Sequence, residues 1–398
     1  MKQIFTILAL ILIVGCAKTT TSSIEYEVKT TSEADSKEFV SECTSYVELE
    51  TTDKSLVGEI LKIKITDEDI FLLCYYNGSI LRFDRKTGKF KNSIGHKGRG
   101  PEEYVNLTDF DTYDGNTYIY SNVTKKLYVH SNDGKFIKTI DVPNIICWNI
   151  SIDNKGNVCF ASEGVNSRVN SKGEAIKQND YDYYIFDIDS GEYIAKYDEL
   201  EEGENATPRM QGSAFIGHSN NNLYVAKAFD HTIYKMSQKG YEPYIKVKPE
   251  YNGAKTVDEV RRDPTFVYSI QEYTKSFDQF WYHMGFEESQ RYIMAGFQAS
   301  FDEWEGSTAM CLAKIDKQTG ESKYIRLNKG KDATYPYLRY VHGRIGWLQQ
   351  GMLISVVKPY WLRNDERFKH LKYDANPVLF LYKLNMEKRD THLIPLYR

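Results

Sequence analysis

The sequence predicts an all-β fold, a ring of six four-stranded antiparallel sheets, and three observations point to it. A strand–strand–turn–strand pattern recurs six times along the 398 residues, one more candidate strand precedes each copy, and the chain holds 31 Tyr and 19 Phe. Aromatic residues pack well on pleated surfaces, and Tyr keeps a polar tip at the edge. Four strands in each of six units is the arithmetic of a six-bladed β-propeller. Independent small β domains are disfavoured, because one such unit cannot bury both of its faces.

The units can be taken in order. In the first, 60–65, 70–74 and 80–84 read as strands, and a turn at Arg85-Lys86-Thr87-Gly88 leads into 89–94. The second has strands at 108–112, 117–120, 126–130 and 136–140, with its turn at Asn132-Asp133-Gly134-Lys135. The third runs through 149–152, 158–161, 183–187 and 193–197, and the fourth through 214–217, 223–227, 232–236 and 244–247. The fifth takes 282–286, 292–295, 310–316 and 323–327; the sixth takes 341–347, 352–357, 378–384 and 391–396. Each strand pair alternates apolar and polar residues, as half-buried strands do. The turns carry Gly, Asn and Asp, which tolerate positive φ or bond locally, except that Glu387-Lys388-Arg389 lacks the glycine. A strand at 46–50 can also pair with the sixth unit. Whether it closes the ring as the fourth strand or lies as a fifth beside 391–396 stays open.

The two ends of the composition agree with an envelope protein. Lys+Arg number 51 against 55 Asp+Glu, so there is no basic surplus for nucleic acid. Met1-Lys2-Gln3 is a basic start, and the apolar run 4–14 is too short to span a bilayer, so 1–15 reads as a signal peptide. Leu12-Ile13-Val14-Gly15-Cys16 resembles the lipobox of bacterial lipoproteins. That resemblance implies cleavage before Cys16, acylation of that residue and an outer-membrane address, since Ala17 rather than Asp follows. The expected organisation is signal peptide 1–15, lipidated Cys16 with a flexible tether to 43, and propeller 44–398. Of the other cysteines, Cys74, Cys159 and Cys311 lie in apolar strand patterns, and no CxxC signals zinc or redox chemistry.

A family resemblance rests on Phe83-Asp84, Gly88-Lys89-Phe90 and Ile94-Gly95-His96-Lys97-Gly98-Arg99-Gly100-Pro101-Glu102-Glu103-Tyr104. These residues, with Gly134-Lys135 and the lipobox, resemble the six-bladed propeller lipoproteins of Bacteroidetes, which are distantly similar to NHL-repeat propellers. The resemblance covers roughly 45–396. It implies the fold and says little about activity.

The connections single out one face. With strands A to D numbered from the axis outwards, A–B and C–D links emerge on one side, B–C and D–A links on the other. Every A–B and C–D link is short; the long links, 95–107, 163–182, 198–213, 248–281, 297–309, 328–340 and 358–377, crowd the opposite face. Long loops in a compact domain are commonly functional. The same face collects aromatics: Trp148 opening the third unit, Trp281 before the fifth, Trp304 and Trp361 in B–C links, and Tyr335, Tyr337, Tyr340 and Tyr360 near them. Such rings bury the CH surface of a sugar or a peptide side chain while neighbouring Arg and Glu bind its polar groups. Candidate ligand-binding residues are therefore Arg99, Glu102, Tyr104, Trp148, Trp281, Arg339, Tyr340 and Trp361. Phe266, Ile270, Tyr273 and Phe277 recur at helical spacing after Asp263-Pro264, which predicts one short helical insertion before the fifth blade.

No motif assigns catalysis. His residues have neither HxH nor HExxH spacing, and no GxSxG or P-loop occurs. Asp109-Phe110-Asp111-Thr112-Tyr113-Asp114-Gly115 lacks the ligand spacing and terminal Glu of a calcium loop. The sequence thus favours a lipid-anchored binding or assembly module without metal or cofactor, capturing a glycan or peptide or partnering an envelope protein. A propeller hydrolase or lyase, with His96, His218, His283 and His342 converging on the axis, is the alternative.

Overall fold

The protein is described by a computed structural model covering residues 24–28, 33–41, 45–75, 77–142, 145–162, 180–199, 215–219, 222–226, 232–237, 240–249, 282–300, 308–327, 335, 337–340 and 347–386. Six small sheets form the ring; the four consecutive strands of each of blades 1 to 5 run in up-and-down order, and blade 6 takes its outer strand from the beginning of the chain. Blade 1 is Ile60–Ile65, Asp69–Cys74, Ile80–Asp84 and Phe90–Ile94. Blade 2 is Asp109–Tyr113, Asn116–Ser121, Lys126–Ser131 and Phe136–Asp141; blade 3 is Asn149–Ile152, Asn157–Ala161, Tyr181–Asp187 and Glu192–Glu199. Blade 4 is Phe215–Ser219, Asn222–Ala226, Thr232–Ser237 and Gly240–Pro249; blade 5 is Tyr282–Glu288, Tyr292–Ser300, Thr308–Asp316 and Ser322–Arg326. The second strands of blades 1 and 3 are buried throughout, because each is covered on both faces by neighbouring blades. The core accordingly lies in layers between blades, such as Phe71, Ile94 and Tyr104 of blade 1 against Phe110, Ile119 and Tyr128 of blade 2.

Blade 6 settles the open question of closure. Its inner strands are Leu348–Gln349, Met352–Val357 and Val378–Lys383, and its fourth is Ser45–Glu48 from the beginning of the chain. Val47 stands opposite Leu379 and Ser45 opposite Leu381 in an antiparallel register. Val378–Lys383 thus has neighbours on both edges, and Ser45–Glu48 holds the fourth place expected for 391–396, which lie outside the described residues. The first strand is Leu348–Gln349; of the expected 341–347, residues 341–346 lie outside the described residues.

The segment assigned to a flexible tether contains structure as well. Ile24–Val28 adds a fifth, parallel strand to blade 4, from Ile24 opposite Ile245 to Val28 opposite Pro249. Tyr26 and Val28 are buried while Glu25 and Glu27 face solvent, as a period of two requires. Further along, Glu33 bridges Tyr324 on the outer strand of blade 5, and its carboxylate accepts hydrogen bonds from the Arg326 backbone N–H and Nε, both at 2.9 Å. Lys323 pairs with Glu38, and Val40 then bridges Leu384 at blade 6. The described residues between 24 and 48 therefore lie along the rims of blades 4, 5 and 6 as a belt whose last strand closes the ring. The belt covers edges that would otherwise present unpaired backbone groups.

Two close approaches lock blade 6 to blade 1. Gly88, in the C–D turn of blade 1, has φ +69°, and a Cβ there would lie 1.9 Å from the Glu48 carbonyl oxygen. Its own carbonyl accepts the Glu50 N–H at 2.9 Å. Nearer the axis, the Gln349 amide of blade 6 donates to Ile63 O at 3.0 Å and accepts from Ile65 N–H at 2.9 Å. It completes a ladder between strands of different blades that have no direct backbone pairing.

Blades 1 to 3 are joined at the axis by buried charge. Lys62 Nζ, on the first strand of blade 1, donates to Asp109 Oδ2 at 2.9 Å and to Ile150 O at 3.0 Å. Asp109 Oδ2 also accepts the Ile150 N–H at 2.7 Å. Two residues on, Lys64 pairs with Asp111 at 2.6 Å, and Asp111 accepts the Ile152 N–H at 2.8 Å. Burial pushes the Asp109 carboxyl above its ordinary range, with Lys62 and the Ile150 N–H opposing that effect. Replacing one member of such a buried pair strands the other. Lys62→Met is expected to lower unfolding stability by roughly 3 kcal/mol in denaturant titration; a loss under about 1 kcal/mol would contradict this role.

Candidate functional site

The long-loop face can be followed in two described parts. One is the link 95–108 between blades 1 and 2, which contains the Gly-x-Gly-Pro motif. Gly95 starts it at φ +65°, with its α-carbon so close to Tyr104 that a Cβ would lie 2.8 Å from that ring. The chain then curls around Glu103, whose carboxylate accepts the Gly100 N–H at 2.8 Å and lies 3.0 Å from His96 Nε2. These partners hold the Glu103 carboxyl below its ordinary range, the Gly100 N–H contributing most. Tyr104 is fully buried between blades, edge-on to Tyr128, and its hydroxyl donates to Gly78 O at 2.8 Å in the B–C link of blade 1. The motif is a clasp between two links. Glycines are needed at 98 and 100 because a Cβ at either would crowd the Glu103 side chain.

The second part is the B–C link of blade 6, residues 358–377, described along its whole length. Pro359 opens a four-residue helix, Pro359–Leu362, as its fixed φ allows. Pro359, Leu362 and Phe368 are buried and pin the loop to blade 6. Asp365 caps the following turn by accepting the Arg367 N–H at 3.1 Å. The Arg367 side chain grips the same carboxylate at 2.6 Å, and Tyr337 donates to it at 2.6 Å. These bonds, Arg367 first, pull the Asp365 carboxyl down to about 2. The loop also leans on the ring-closing strand: Tyr46 lies edge-on to Phe368 at 4.9 Å, and His370 Nε2 is 2.8 Å from Glu48.

On this base the rings gather into one patch. Tyr340 and Trp361 stack with centroids 4.3 Å apart and planes 18° from parallel. Tyr360 lies 4.6 Å from Trp361 and 5.7 Å from Tyr373, which is 79% exposed. Tyr337, beneath, packs on Phe380 at 4.3 Å. Each such pair contributes about 1 kcal/mol beyond its area, so the patch is a preformed surface with Tyr373 as its open ring.

The predicted site residues divide accordingly. Tyr340 and Trp361 come together, with Tyr360 and Tyr373 completing the patch. Tyr373 was missed because it follows a run of charged residues and belongs to no repeat pattern. Arg99 and Glu102 are exposed on the clasp. Tyr104 has no surface open to a ligand, since burial of its ring is what joins blades 1 and 2. Trp148 is half-buried at the start of blade 3, where its backbone N–H donates to Ala161 O at 3.1 Å. Arg339 lies in the short turn Leu338–Tyr340 of the link before blade 6. Cys16, Trp281, Trp304, His342 and the helical insertion of 256–281 lie outside the described residues.

Among the described inner-strand side chains, Lys62, Lys64, Asp109 and Asp111 already satisfy one another. His96 is on the clasp, 3.0 Å from Glu103, while the side chains of His218 and His283 lie outside the described residues. Among the described residues no group of three His, Cys, Asp or Glu is placed to hold a metal ion. Cys74, Cys147, Cys159 and Cys311 are buried free thiols, Cys74 pushed up to about 12 by desolvation, and so are poor nucleophiles.

Residues 19–383 match the family model described as Domain of unknown function (DUF4934). No curated protein matches the sequence. Among solved structures, a candidate exported protein of Bacteroides fragilis NCTC 9343 is similar with a TM-score of 0.68 at 18% identity, over 92% of this chain and 100% of that one. A member of the DUF4221 family from Bacteroides vulgatus ATCC 8482 is similar with a TM-score of 0.52 at 10% identity, over 87% of this chain and 99% of that one. At these identities the likeness establishes the fold.

The buried and the exposed residues of the clasp make opposite predictions. Tyr104→Phe removes the bond to Gly78 O and should lower stability by about 1 kcal/mol. Arg99→Ala, by contrast, should leave the midpoint of thermal unfolding within the error of the scan. Equal effects of the two would contradict the assignment of Tyr104 to the core.

Proposed function

The chain belongs to the family of the domain of unknown function DUF4934, and on that premise we propose that it is a lipid-anchored binding module of the cell envelope. It captures a glycan or peptide ligand on the aromatic long-loop face. The observation that carries this reading is the patch of Tyr340, Tyr360, Trp361 and Tyr373 on blade 6. It is rigidly backed by Phe368, Tyr337 and the ring-closing strand, yet leaves Tyr373 open. Ring faces held in place without a ligand bind with little ordering cost. The signal-like start and Cys16 support an anchored, exported protein, and so does the export description of the Bacteroides fragilis neighbour. The tether that remains is short, because the belt begins at Ile24. An axial hydrolase or lyase draws less support, since the described axial charges are paired with each other.

Two experiments test the proposal. Cys16→Ala should move the protein from the membrane fraction to the soluble envelope fraction; unchanged membrane association would remove the anchor. Tyr373→Ala should keep the melting temperature and weaken ligand binding about tenfold in glycan-array and peptide-array assays of the folded chain. Trp361→Ala should also weaken binding, through the loss of its stack with Tyr340, and should cost about 1 kcal/mol or more in stability. Binding that both variants retain in full places the ligand elsewhere.

A further inference from the structure

We infer that the ligand of the blade 6 patch is an acidic polysaccharide, whose rings lie on Tyr373 and Tyr360 and whose carboxylates or sulfates meet Lys358, Arg363 and Lys372. This rests on the proposal that the patch binds a ligand, and it adds the chemistry of that ligand.

The whole chain has a net charge of −4, yet residues 358–377 contain five Lys or Arg against three Asp or Glu. The acids do not neutralise this set evenly. Asp365 is taken by Arg367 at 2.6 Å, and Glu366 by Lys369 at 2.5 Å. His370 reaches out of the loop to Glu48 at 2.8 Å. That leaves Lys358, Arg363 and Lys372, all exposed and without an ion-pair partner among the described residues, against Asp374 alone.

The three unpaired cations are also the ones that flank the patch rings along the chain. Lys358 caps the N-terminus of the short helix and Arg363 its C-terminus, and that helix carries Tyr360 and Trp361. Lys372 precedes Tyr373, whose ring is 5.7 Å from that of Tyr360. The paired cations, Arg367 and Lys369, sit instead in the turn that fastens the loop to Tyr46 and Phe368. Pairing thus separates a structural set of cations from an exposed, unpaired set whose chain positions flank Tyr360, Trp361 and Tyr373.

Those two properties together select the ligand class. A neutral glycan would use the rings and leave three charges idle. A sugar acid uses both: its CH face covers a ring while its anionic group meets a cation. A saccharide is favoured over an acidic peptide because the rings of Tyr360 and Tyr373, 5.7 Å apart and tilted by 33°, offer adjacent flat faces on which successive sugar rings can lie. The exposed position of the cations makes the interaction salt-sensitive.

Titration calorimetry of the full chain with polygalacturonate, neutral dextran and poly-L-glutamate tests the inference. Polygalacturonate should bind, dextran should bind at least about tenfold more weakly, and poly-L-glutamate should resemble dextran. Raising NaCl from about 0.05 M to 0.5 M should weaken the polygalacturonate interaction severalfold. The triple variant Lys358→Gln, Arg363→Gln, Lys372→Gln should lose about tenfold in affinity with an unchanged melting temperature, since all three side chains are exposed. Lys372→Glu alone should give a further check by repulsion. Equal binding of dextran and polygalacturonate, abolished by Tyr373→Ala, would overturn the acidic ligand and keep the patch as a binding site. Preference for poly-L-glutamate would overturn the saccharide. Failure of all three polymers, together with negative glycan and peptide arrays, would overturn both this inference and the binding function.

Discussion

The structure depends on one pairing: Ser45–Glu48 against Val378–Lys383, the two ends of the propeller joined in a single blade. A ring of sheets has no stable open form, because each blade hides its faces only between two neighbours, and the first and last lack one until the ring shuts. Closing it through strands far apart in sequence makes the whole disc a single cooperative unit. The belt upstream adds to this, tying the outer edges of blades 4, 5 and 6 by a parallel strand, the Glu33–Arg326 contacts and the bridge at Val40. The tie at the axis is of a different kind. Lys62 and Asp109 hold blades 1, 2 and 3 by buried charge, where apolar contact alone would not fix which strand register faces which.

The candidate site is an outgrowth of the same pairing. Its loop lies on the ring-closing strand through Tyr46 and Glu48, and Asn376 at the end of the loop bonds to Glu50 O and Ser55 O on the chain that leads into blade 1. The aromatic patch therefore stands where the beginning and end of the propeller meet, the most heavily cross-braced part of the described long-loop face. Rigidity there has a functional use. Tyr340 and Trp361 are already stacked, so a ligand meets an ordered surface. The clasp around Glu103 does the corresponding structural work between blades 1 and 2, with its polar side chains turned to solvent and its Tyr104 turned inward.

Much of the fold was legible in the sequence because a blade is a local object. Its strands alternate, its turns need Gly, Asn or Asp, and six copies make the period visible. Ring closure was not legible, since nothing near Tyr46 announces that its partner is Phe380. The belt was hidden for another reason. Ile24, Tyr26 and Val28 do alternate with Glu25 and Glu27, but the run is brief and follows a Ser/Thr-rich stretch that reads as linker. The inner strand Ile60-Leu61-Lys62-Ile63-Lys64-Ile65 looks like a strand with its lysines in solvent, and only the closed ring turns Lys62 towards Asp109. Of the candidate site, the concentration of long links and aromatics on one face was readable, and it found Tyr340 and Trp361. Tyr104 misled because a motif aromatic in a loop looks exposed until the cleft between two blades receives it.

Ring closure by the N-terminal strand can be measured directly by placing cysteines at Val47 and Leu379, which face each other in the closing pair, and mapping disulfides in the oxidised folded protein by mass spectrometry. The four native thiols described here are buried and should stay out of the reaction. A 47–379 disulfide that forms in high yield and raises the melting temperature is the predicted result. Its absence from folded protein, with the 379 thiol free or linked to a cysteine placed at 393, would contradict the closure on which the blade 6 site stands.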